Sequence, residues 1–306
     1  ASFVRLKPML SIVTNIDADH MSTYQGDIKK LRGSFIQFLH NLPFYGLSIL
    51  CLDDAGIRRI LGEVGRSVLT YGVDDGADVR AKNVTFDRGE TSFDVIRPDH
   101  DESLHIRLSL PGVHNVRNAL AAIAVADELQ ISDHDVVRAL KNFEGIERRF
   151  QNLGEVRTRN GTVMLVDDYG HHPTEVAATL AAARAGWPGK RVVLAFQPHR
   201  YTRTRDLMDD FAFVLSQADV LVLLEVYAAG EEPIAGADGR SVARAVRGRG
   251  GIEPVFIESV ERLPSVLEEL MHDGDLVLTM GAGDIGALAQ QLPELLAHGP
   301  QLKVHK

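Results

Sequence analysis

Cysteine is almost absent from the chain, and this shortage excludes one class of small extracellular protein. Cys51 is the only cysteine among 306 residues, so no internal disulfide can form. Scaffolds held together by several disulfides are therefore excluded. Cys51 lies in a strand-like apolar run at 47–52, and we interpret it as a buried core thiol of a protein that works in a reducing cytosol.

Long apolar runs and an excess of positive charge are missing too. No stretch approaches the roughly 18 apolar residues of a membrane-spanning helix, and residues 1–7 lack the basic and apolar parts of a signal peptide. The formal net charge is −9, which disfavours binding to a nucleic acid backbone. We therefore expect a cytoplasmic protein with neither a membrane nor a nucleic acid as its partner.

Strand-like and helix-like segments alternate in both halves of the chain, which predicts an α/β fold with mostly parallel sheets. Three short strand-like runs between residues 79 and 110 are separated by Asp-Arg-Gly and Pro-Asp-His turns, and they predict a small antiparallel patch. Residues 145–150 have the pattern of a linker. After this linker, a regular strand–helix alternation predicts a second sheet with helices on both faces.

The segment 167–175 concentrates two acids, a phenol and two imidazoles at one predicted strand-to-helix turn. In open α/β sheets, ligands bind at the carboxyl ends of strands, where such turns lie. Other polar clusters also follow predicted strands, at 15–20, 197–200, 225–227 and 281–284. We favour one rim of a cleft, although polar side chains are common in all loops.

Four further patterns point to ligands without deciding between alternatives. Arginines and a histidine at 197–206 stand where a helix should begin, which favours a bound anion or, alternatively, internal pairing with the aspartates that follow. Asn115 and Asn118 share a helix face and suit a nucleobase edge or simple capping. His20, next to an aspartate, suits a metal or a helix cap. Arg149 and its neighbour Arg148 suit a phosphate or stacking.

Gly281, Gly283 and Gly286 fit the G-x-G-x-x-G spacing of a dinucleotide-binding turn. Only twenty residues follow Gly286, and they contain no strand that would carry a ribose-binding acid. We therefore interpret this segment as a tight turn that lets the backbone approach a ligand.

Taken together, these segments resemble the Mur ligase family. The joint match is specific because the segments recur in the expected order along nearly the whole chain. The resembling stretches are 14–21, 41–46, 111–119, 147–150, 167–175, 197–206, 225–231 and 281–286.

The resemblance implies an ATP-dependent amide-forming ligase of peptidoglycan synthesis, normally built from three domains. Residues 1–149 would form an incomplete central ATPase domain, and residues 150–306 a C-terminal Rossmann-like domain that closes on it. The chain has no G-x-x-x-x-G-K-[ST] loop and no initiator methionine. We therefore expect a fragment that is inactive alone, its phosphate loop lying in a missing N-terminal part.

The resemblance also implies ATP and Mg²⁺ as cofactors and assigns roles by position. His20 resembles a magnesium ligand, and Asn115 and Asn118 resemble contacts to adenine. Arg149 resembles the linker arginine that reaches the γ-phosphate of ATP and contributes to catalysis. Asp168 resembles the ribose-binding acid.

The remaining site residues resemble the lining of the amino-acid and acyl-phosphate side. Tyr169 is placed next to the nucleotide, and His171 and His199 are placed as catalytic and substrate-binding imidazoles. Arg200 and Arg203 are placed as ligands of the substrate carboxylate.

The implied reaction joins L-alanine to the lactyl carboxylate of UDP-N-acetylmuramate through an acyl phosphate. The alternatives are a ligase of the same family that recycles muropeptides, a non-catalytic nucleotide-binding module, and a metal-dependent hydrolase that uses His171, His172, His199 and Asp168. The sequence leaves the oligomeric state open, a homodimer included.

Overall fold

The computed structural model describes residues 2–17 and 21–298. The chain forms two compact units, one built from residues up to 86, 90–109 and 113–143, and one from 87–89, 110–112 and the residues from 144 onward. None of the helices in the described part of the chain combines the length and apolar character needed to span a lipid bilayer. The predicted division at residues 149 and 150 stays a prediction.

Within its described residues, the first unit contains one six-stranded sheet and four α-helices. Its elements in chain order are β1 Leu10–Val13, α1 Ile28–His40, β2 Leu47–Cys51, α2 Ala55–Ile60, β3 Ser67–Gly72, β4 Val79–Asp87, β5 Glu90–Ile96, β6 Leu104–Leu108, α3 Val113–Glu128 and α4 Asp133–Lys141.

The first sheet confirms the prediction of a mostly parallel sheet with an antiparallel patch. Its strands follow the order of the chain from β1 to β6. Strands β1 to β4 pair in parallel, and β5 pairs with β6 antiparallel. The predicted patch is therefore an extension of the parallel sheet, joined to it where Tyr71 pairs with Val79. Cys51 is buried and free, as predicted, and burial raises the pKa of its thiol.

A buried arginine ties the end of β5 to two helices. Arg97 is 4% exposed, and its Nη1 donates to Asp127 on α3 and to Asp133 at the start of α4, both at 2.7 Å. Its Nη2 donates to the other oxygen of Asp133 at 2.8 Å. The two-point grip on Asp133 is the geometry that a guanidinium makes best with a carboxylate.

Up to residue 298, the second unit contains another six-stranded sheet with seven α-helices. Its elements are β7 Gln151–Thr158, β8 Gly161–Asp168, α5 Pro173–Gly186, β9 Val192–Phe196, α6 Tyr201–Asp206, α7 Met208–Leu215, β10 Val220–Leu224, α8 Gly239–Arg249, β11 Val255–Ile257, α9 Leu263–Leu270, β12 Leu276–Met280, α10 Ile285–Ala289 and α11 Leu292–His298.

The strand order of the second sheet is β11-β10-β9-β12-β8-β7. All pairs are parallel except β7 with β8, which is antiparallel. The sheet confirms the predicted α/β fold, whereas strand β7 was not predicted. The sequence pattern predicts one helix over 205–218. The structure instead has a break at Leu207, which leaves helical geometry at φ −119° and separates α6 from α7.

The order of this sheet places its loops for ligand binding. Strand β12 lies between β8 and β9. The chain therefore passes from β8 to β9 over the position that β12 occupies, continues to β10 and β11, and then reverses its direction across the sheet to form β12. Ligands of open α/β sheets bind at the carboxyl edge near such a change of direction. The loops after β8, β9, β10 and β12 meet at that edge.

Candidate active site

Four aromatic rings from three loops form a continuous row at this edge. The ring centroid of His171 lies 5.3 Å from that of Tyr169 and 5.4 Å from that of His199, both edge to face. His199 in turn stacks on Tyr227 at 5.6 Å, with only 10° between the planes. The structure thus brings together three predicted site residues, Tyr169, His171 and His199.

Backbone hydrogen bonds hold the loops after β9 and β10 side by side. The N–H of Tyr227 donates to the carbonyl of Pro198 at 2.8 Å, and the N–H of Arg200 donates to the carbonyl of Tyr227 at 2.9 Å. Arg200 takes a positive φ of 73° to do so. Tyr227 belongs to the polar cluster 225–227 that was predicted at the rim of a cleft, but no role was predicted for it. Its place directly after a predicted strand was the signal for that rim.

His199 is held in its neutral form. Burial, followed by the charges of His171, Arg203 and Arg200, lowers the pKa of His199 from 6.5 to about 4. Its Nδ1 is buried and has no hydrogen-bond partner among the described residues. A neutral imidazole does not repel a positively charged group of a ligand.

We expect replacement of His199 by glutamine to make folding less sensitive to acid. Unfolded histidine takes up its proton near pH 6.5, whereas His199 in the folded state does so only at about pH 4. The unfolded state therefore binds more protons between these values, and wild-type stability falls as the pH drops through them. After discounting for solvent screening, the loss is on the order of 1–2 kcal/mol. Urea unfolding at pH 7 and pH 4.5 measures it, and an equal loss in both proteins would contradict the assignment.

The arginines of the 197–206 segment have different partners. Arg200 lies 3.3 Å from Glu231 of the following loop, and Glu231 also accepts hydrogen bonds from the backbone and hydroxyl of Thr202. Burial opposes ionisation of Glu231, but these donors outweigh it and lower its pKa. Arg205 pairs with Asp206, as the internal-pairing alternative predicted. Arg203 lies 3.5 Å from the carbonyl of His199, within the row of rings.

Asp168 is engaged by the backbone. One carboxylate oxygen accepts from the N–H of Phe150 and the other from the N–H of Gly170, each at 2.7 Å. Burial nevertheless raises the pKa of Asp168. The observed contacts are those of a residue that shapes the linker, and its predicted contact with ribose stays a prediction.

Arg149 projects toward solvent between two residues that are held in place. Its side chain is 55% exposed, with Nη1 3.7 Å from Glu175. Glu175 accepts from the N–H groups of His171 and His172 in a capping box at the start of α5. Arg149 is thus a charged group with a weak partner, beside the row of rings.

The glycine-rich segment 281–286 packs against the protein itself rather than forming a dinucleotide turn. The backbone of Gly281 has φ +142°, and a Cβ there would lie 2.6 Å from the carbonyl of Gln197. The Gln197 side chain donates to Asp284 at 2.6 Å and accepts from the N–H of Ile285 at 3.1 Å. The close approach that Gly281 and Gly283 allow is therefore to Gln197 and its neighbours, whereas a Cβ at Gly286 would overlap the guanidinium of Arg148.

We expect replacement of Gly283 by alanine to destabilise this turn by about 1–3 kcal/mol. A Cβ at Gly283 would overlap the side-chain oxygen of Gln197 and lie 2.8 Å from the Tyr227 side chain. The matched control is Gly248→Ala on α8, where nothing lies within 4 Å and alanine is the better helix former. Thermal or urea unfolding of both variants measures the difference. Equal free energies of unfolding would show that the turn rearranges around the added methyl group at no cost in stability.

The predicted adenine contacts lie in the first unit. Asn115 and Asn118 are both on α3, three residues apart, with Asn118 exposed and Asn115 half-buried. Between them, Arg117 donates through Nε to the buried Asp53 at 2.5 Å. His20 lies outside the described residues.

No group of three or more candidate metal ligands occurs within residues 2–17 and 21–298. His171, His172, His199 and Asp168, the set proposed for a metal-dependent hydrolase, do not form such a group. His172 instead caps α5, and Asp168 binds backbone N–H groups.

Comparison with solved structures shows extended similarity in fold. UDP-N-acetylmuramate-alanine ligase MurC from Thermotoga maritima aligns with a TM-score of 0.75 and 27% identity, covering 95% of this chain and 60% of that chain. A murein peptide ligase from Psychrobacter arcticus has a TM-score of 0.65 and 22% identity, with 99% and 60% covered. MurF from Acinetobacter baumannii has a TM-score of 0.71 and 18% identity, with 97% and 61% covered. The last two show a shared fold.

Two family models match in sequence, one on each half of the chain. The model described as the Mur ligase middle domain matches residues 1–126, and the model described as Mur ligase, glutamate ligase domain matches residues 148–283. The chain spans about 60% of the length of the solved structures it matches. Both models match in their expected order, and the chain therefore belongs to the Mur ligase family.

Proposed function

We propose that the gene product is an ATP-dependent amide-forming ligase of peptidoglycan precursor synthesis, and that it adds L-alanine to the carboxylate of UDP-N-acetylmuramate. The observation that carries the proposal is the row of His171, His199 and Tyr227 at the carboxyl edge of the second sheet. Arg200 and Arg203 adjoin this row, and Arg149 lies beside it. Similarity to an alanine-adding ligase at 27% identity supports this acceptor.

The carboxylate of UDP-N-acetylmuramate needs activation, because a carboxylate is a poor electrophile. ATP would supply that activation: the carboxylate oxygen attacks the γ-phosphorus and displaces ADP to give an acyl phosphate, and attack of the amine on its carbonyl carbon then expels inorganic phosphate. Arg149 fits a phosphate group because it is an exposed guanidinium whose only described ion-pair partner, Glu175, is 3.7 Å away. Its task is to neutralise charge that develops on the transferred phosphoryl group.

The amino group of L-alanine needs a residue that accepts its proton, and the amino acid needs residues that bind its carboxylate. Nδ1 of His171 lies 3.1 Å from the carbonyl of Tyr169, so it carries the hydrogen and leaves Nε2 as the acceptor. Glu175, 3.6 Å from the same Nδ1, would stabilise the imidazolium that forms. We therefore propose that Nε2 of His171 accepts the proton that the amino group loses.

The same edge suits a small amino acid. His199 stays neutral near pH 7, since its pKa is about 4, and so it does not repel an incoming ammonium group. Arg200 and Arg203 supply forked donors that match the carboxylate of the amino acid.

Arg149 contacts the phosphates of the nucleotide in this proposal. In the first unit, Asn115 and Asn118 stay predicted contacts to the base, and the exposed amide of Asn118 offers both a donor and an acceptor to a base edge. Residues 2–17 and 21–298 contain no cluster of candidate ligands for magnesium.

The test is a ligation assay with the complete gene product. The protein is incubated with ATP, UDP-N-acetylmuramate and L-alanine, glycine, L-serine or an L-alanyl tripeptide, and both ADP release and product mass are measured. We expect ADP release that requires L-alanine and a product heavier than the nucleotide by one alanine residue. Preference for the tripeptide would assign the recycling reaction instead. Absence of product with every acceptor would overturn the proposal.

A further inference from the structure

Arg148, the residue before Arg149, is docked into a pocket of the second unit that we call the Arg148 socket. Its Nε donates to Asp167 at 2.8 Å, and its Nη2 donates to the carbonyl of Gly281 at 2.5 Å. Its guanidinium lies 5.1 Å from the ring centroid of Tyr169. A Cβ at Gly286 would overlap the guanidinium. The socket thus consists of Asp167, Tyr169, Gly281 and Gly286.

The socket accounts for residues to which the proposed reaction gives no part. Asp167 is fully buried and also accepts a hydrogen bond from Thr279 at 2.7 Å. A buried carboxylate of this kind is costly unless a charged partner compensates it. Gly281 contributes its carbonyl to the guanidinium of Arg148, and the missing side chain of Gly286 leaves the space that the guanidinium occupies. The end of the glycine-rich turn is therefore filled by an arginine of the chain itself.

Phe150, the residue after Arg149, is also fixed by contacts within the second unit. Its N–H donates to Asp168 at 2.7 Å, and its ring stacks on Trp187 with centroids 5.8 Å apart and an interplanar angle of 8°. Both Arg148 and Phe150 have positive φ, at 58° and 49°, a conformation that costs free energy for residues other than glycine. The surrounding contacts must therefore maintain it.

We infer that Arg148 is a positioning residue, which fixes the direction from which Arg149 reaches a bound phosphate. The inference rests on the proposed function, because the phosphate contact of Arg149 belongs to that proposal. With its two neighbours immobilised in left-handed geometry, the backbone of Arg149 has one orientation and its side chain points to solvent. An arginine is needed at 148, since a lysine cannot donate to Asp167 and to Gly281 from one rigid fork.

The first test uses the 306-residue chain without nucleotide, where Trp187 is the only tryptophan. Because Trp187 stacks on Phe150, its fluorescence reports whether the 148–150 segment is seated. We expect Arg148→Ala to shift the emission to longer wavelength and to increase quenching by acrylamide at least 1.5-fold. Arg149→Ala should leave both unchanged, as should the control Arg247→Ala, whose side chain is also about half exposed and ion-paired.

A second set of variants keeps the test decisive if Arg148→Ala fails to fold. Arg148→Lys retains the charge and Gly286→Ala retains the arginine, yet both disturb the socket. Circular dichroism establishes that each is folded. Unchanged tryptophan emission in folded Arg148→Lys and Gly286→Ala would overturn the inference.

The second test separates positioning from a merely structural role. In the complete gene product, phosphoryl transfer from ATP is measured in single turnovers for both single variants and for the double variant. We expect Arg148→Ala to slow transfer 10- to 100-fold in the wild-type background and less than twofold in the Arg149→Ala background, since Arg148 acts through Arg149. Equal slowing in both backgrounds would refute positioning.

The two tests also distinguish the inference from the proposed function. If Arg149→Ala has no effect on transfer, the phosphate role of Arg149 fails, and with it the positioning role. If Arg149→Ala is slow but Arg148→Ala is as fast as wild type with normal fluorescence, only the inference fails.

Discussion

Replacing Arg149 with alanine is expected to slow phosphoryl transfer by about 10³-fold while nucleotide affinity changes by less than about tenfold. An arginine that neutralises charge on the transferred phosphoryl group contributes mainly in the transition state. Arg149 suits that role because its side chain is 55% exposed and its guanidinium has only distant partners among the described residues, Glu175 at 3.7 Å and the ring centroid of Tyr169 at 5.9 Å. Single-turnover rates and equilibrium titration with ATP, both on the complete gene product, measure the two quantities separately.

The matched control for Arg149 is Arg247→Ala. Arg247 on α8 is 52% exposed and paired with Glu253, so its removal changes the net charge of the second unit equally. We expect wild-type rates from this control. If Arg149→Ala weakens ATP binding as much as it slows transfer, the residue contributes uniform binding, and the transition-state role is wrong.

Replacing Arg97 with methionine is expected to lower the free energy of unfolding by about 2–4 kcal/mol. The loss of one partner from a buried ion pair typically costs about 3–5 kcal/mol. We lower that range because Asp127 and Asp133 are 21% and 47% exposed, so water replaces part of what the arginine provided. Urea unfolding of the 306-residue chain at pH 7 measures the change.

The cost of removing Arg97 should decrease in acid. The hydrogen bond from Arg97 lowers the pKa of Asp133 below its ordinary value of 3.8. A carboxylate with a lowered folded pKa contributes stability above its unfolded pKa, and that stability is lost as the pH falls through the folded value. The wild type and the variant should therefore converge below about pH 4.

Arg138→Met on α4 is the control for this comparison. Arg138 pairs with Asp135, but both side chains are about half exposed or more, at 62% and 48%. Exposed pairs of this kind contribute about 0–1 kcal/mol. A cost at Arg97 no larger than at Arg138 would show that the buried cluster does not hold β5 to the helices.

Most secondary structure was predictable because its signal is local. Strands β10 and β12 were predicted with the bounds that the structure has, since each is a continuous apolar run of five residues. Strand β7 escaped prediction because it lies at the edge of the sheet and buries only Val156, so its sequence shows little apolar alternation. The break at Leu207 was not predicted because the residues on both sides of it favour a helix.

Residues that meet at the edge of the second sheet could be predicted from the sequence, whereas the contacts between them could not. His171 and His199 were identified from their positions after predicted strands, but their ring-to-ring contact depends on strand order. Asp168 shows the limit most clearly. A carboxylate after a strand suits a ribose, and only the folded chain reveals that both oxygens already accept N–H groups from Phe150 and Gly170.

The sequence by itself determined the alternation of strands and helices, the absence of disulfides and the polar character of the loops that follow the strands. These follow from side-chain periodicity and residue chemistry within a few neighbours. The tertiary structure alone decided that the Arg148 side chain is only 21% exposed, against Asp167 and the glycine-rich turn, while that of Arg149 is 55% exposed. The two residues are chemically identical, and what separates them is a left-handed backbone stabilised by groups up to 133 positions away in the chain.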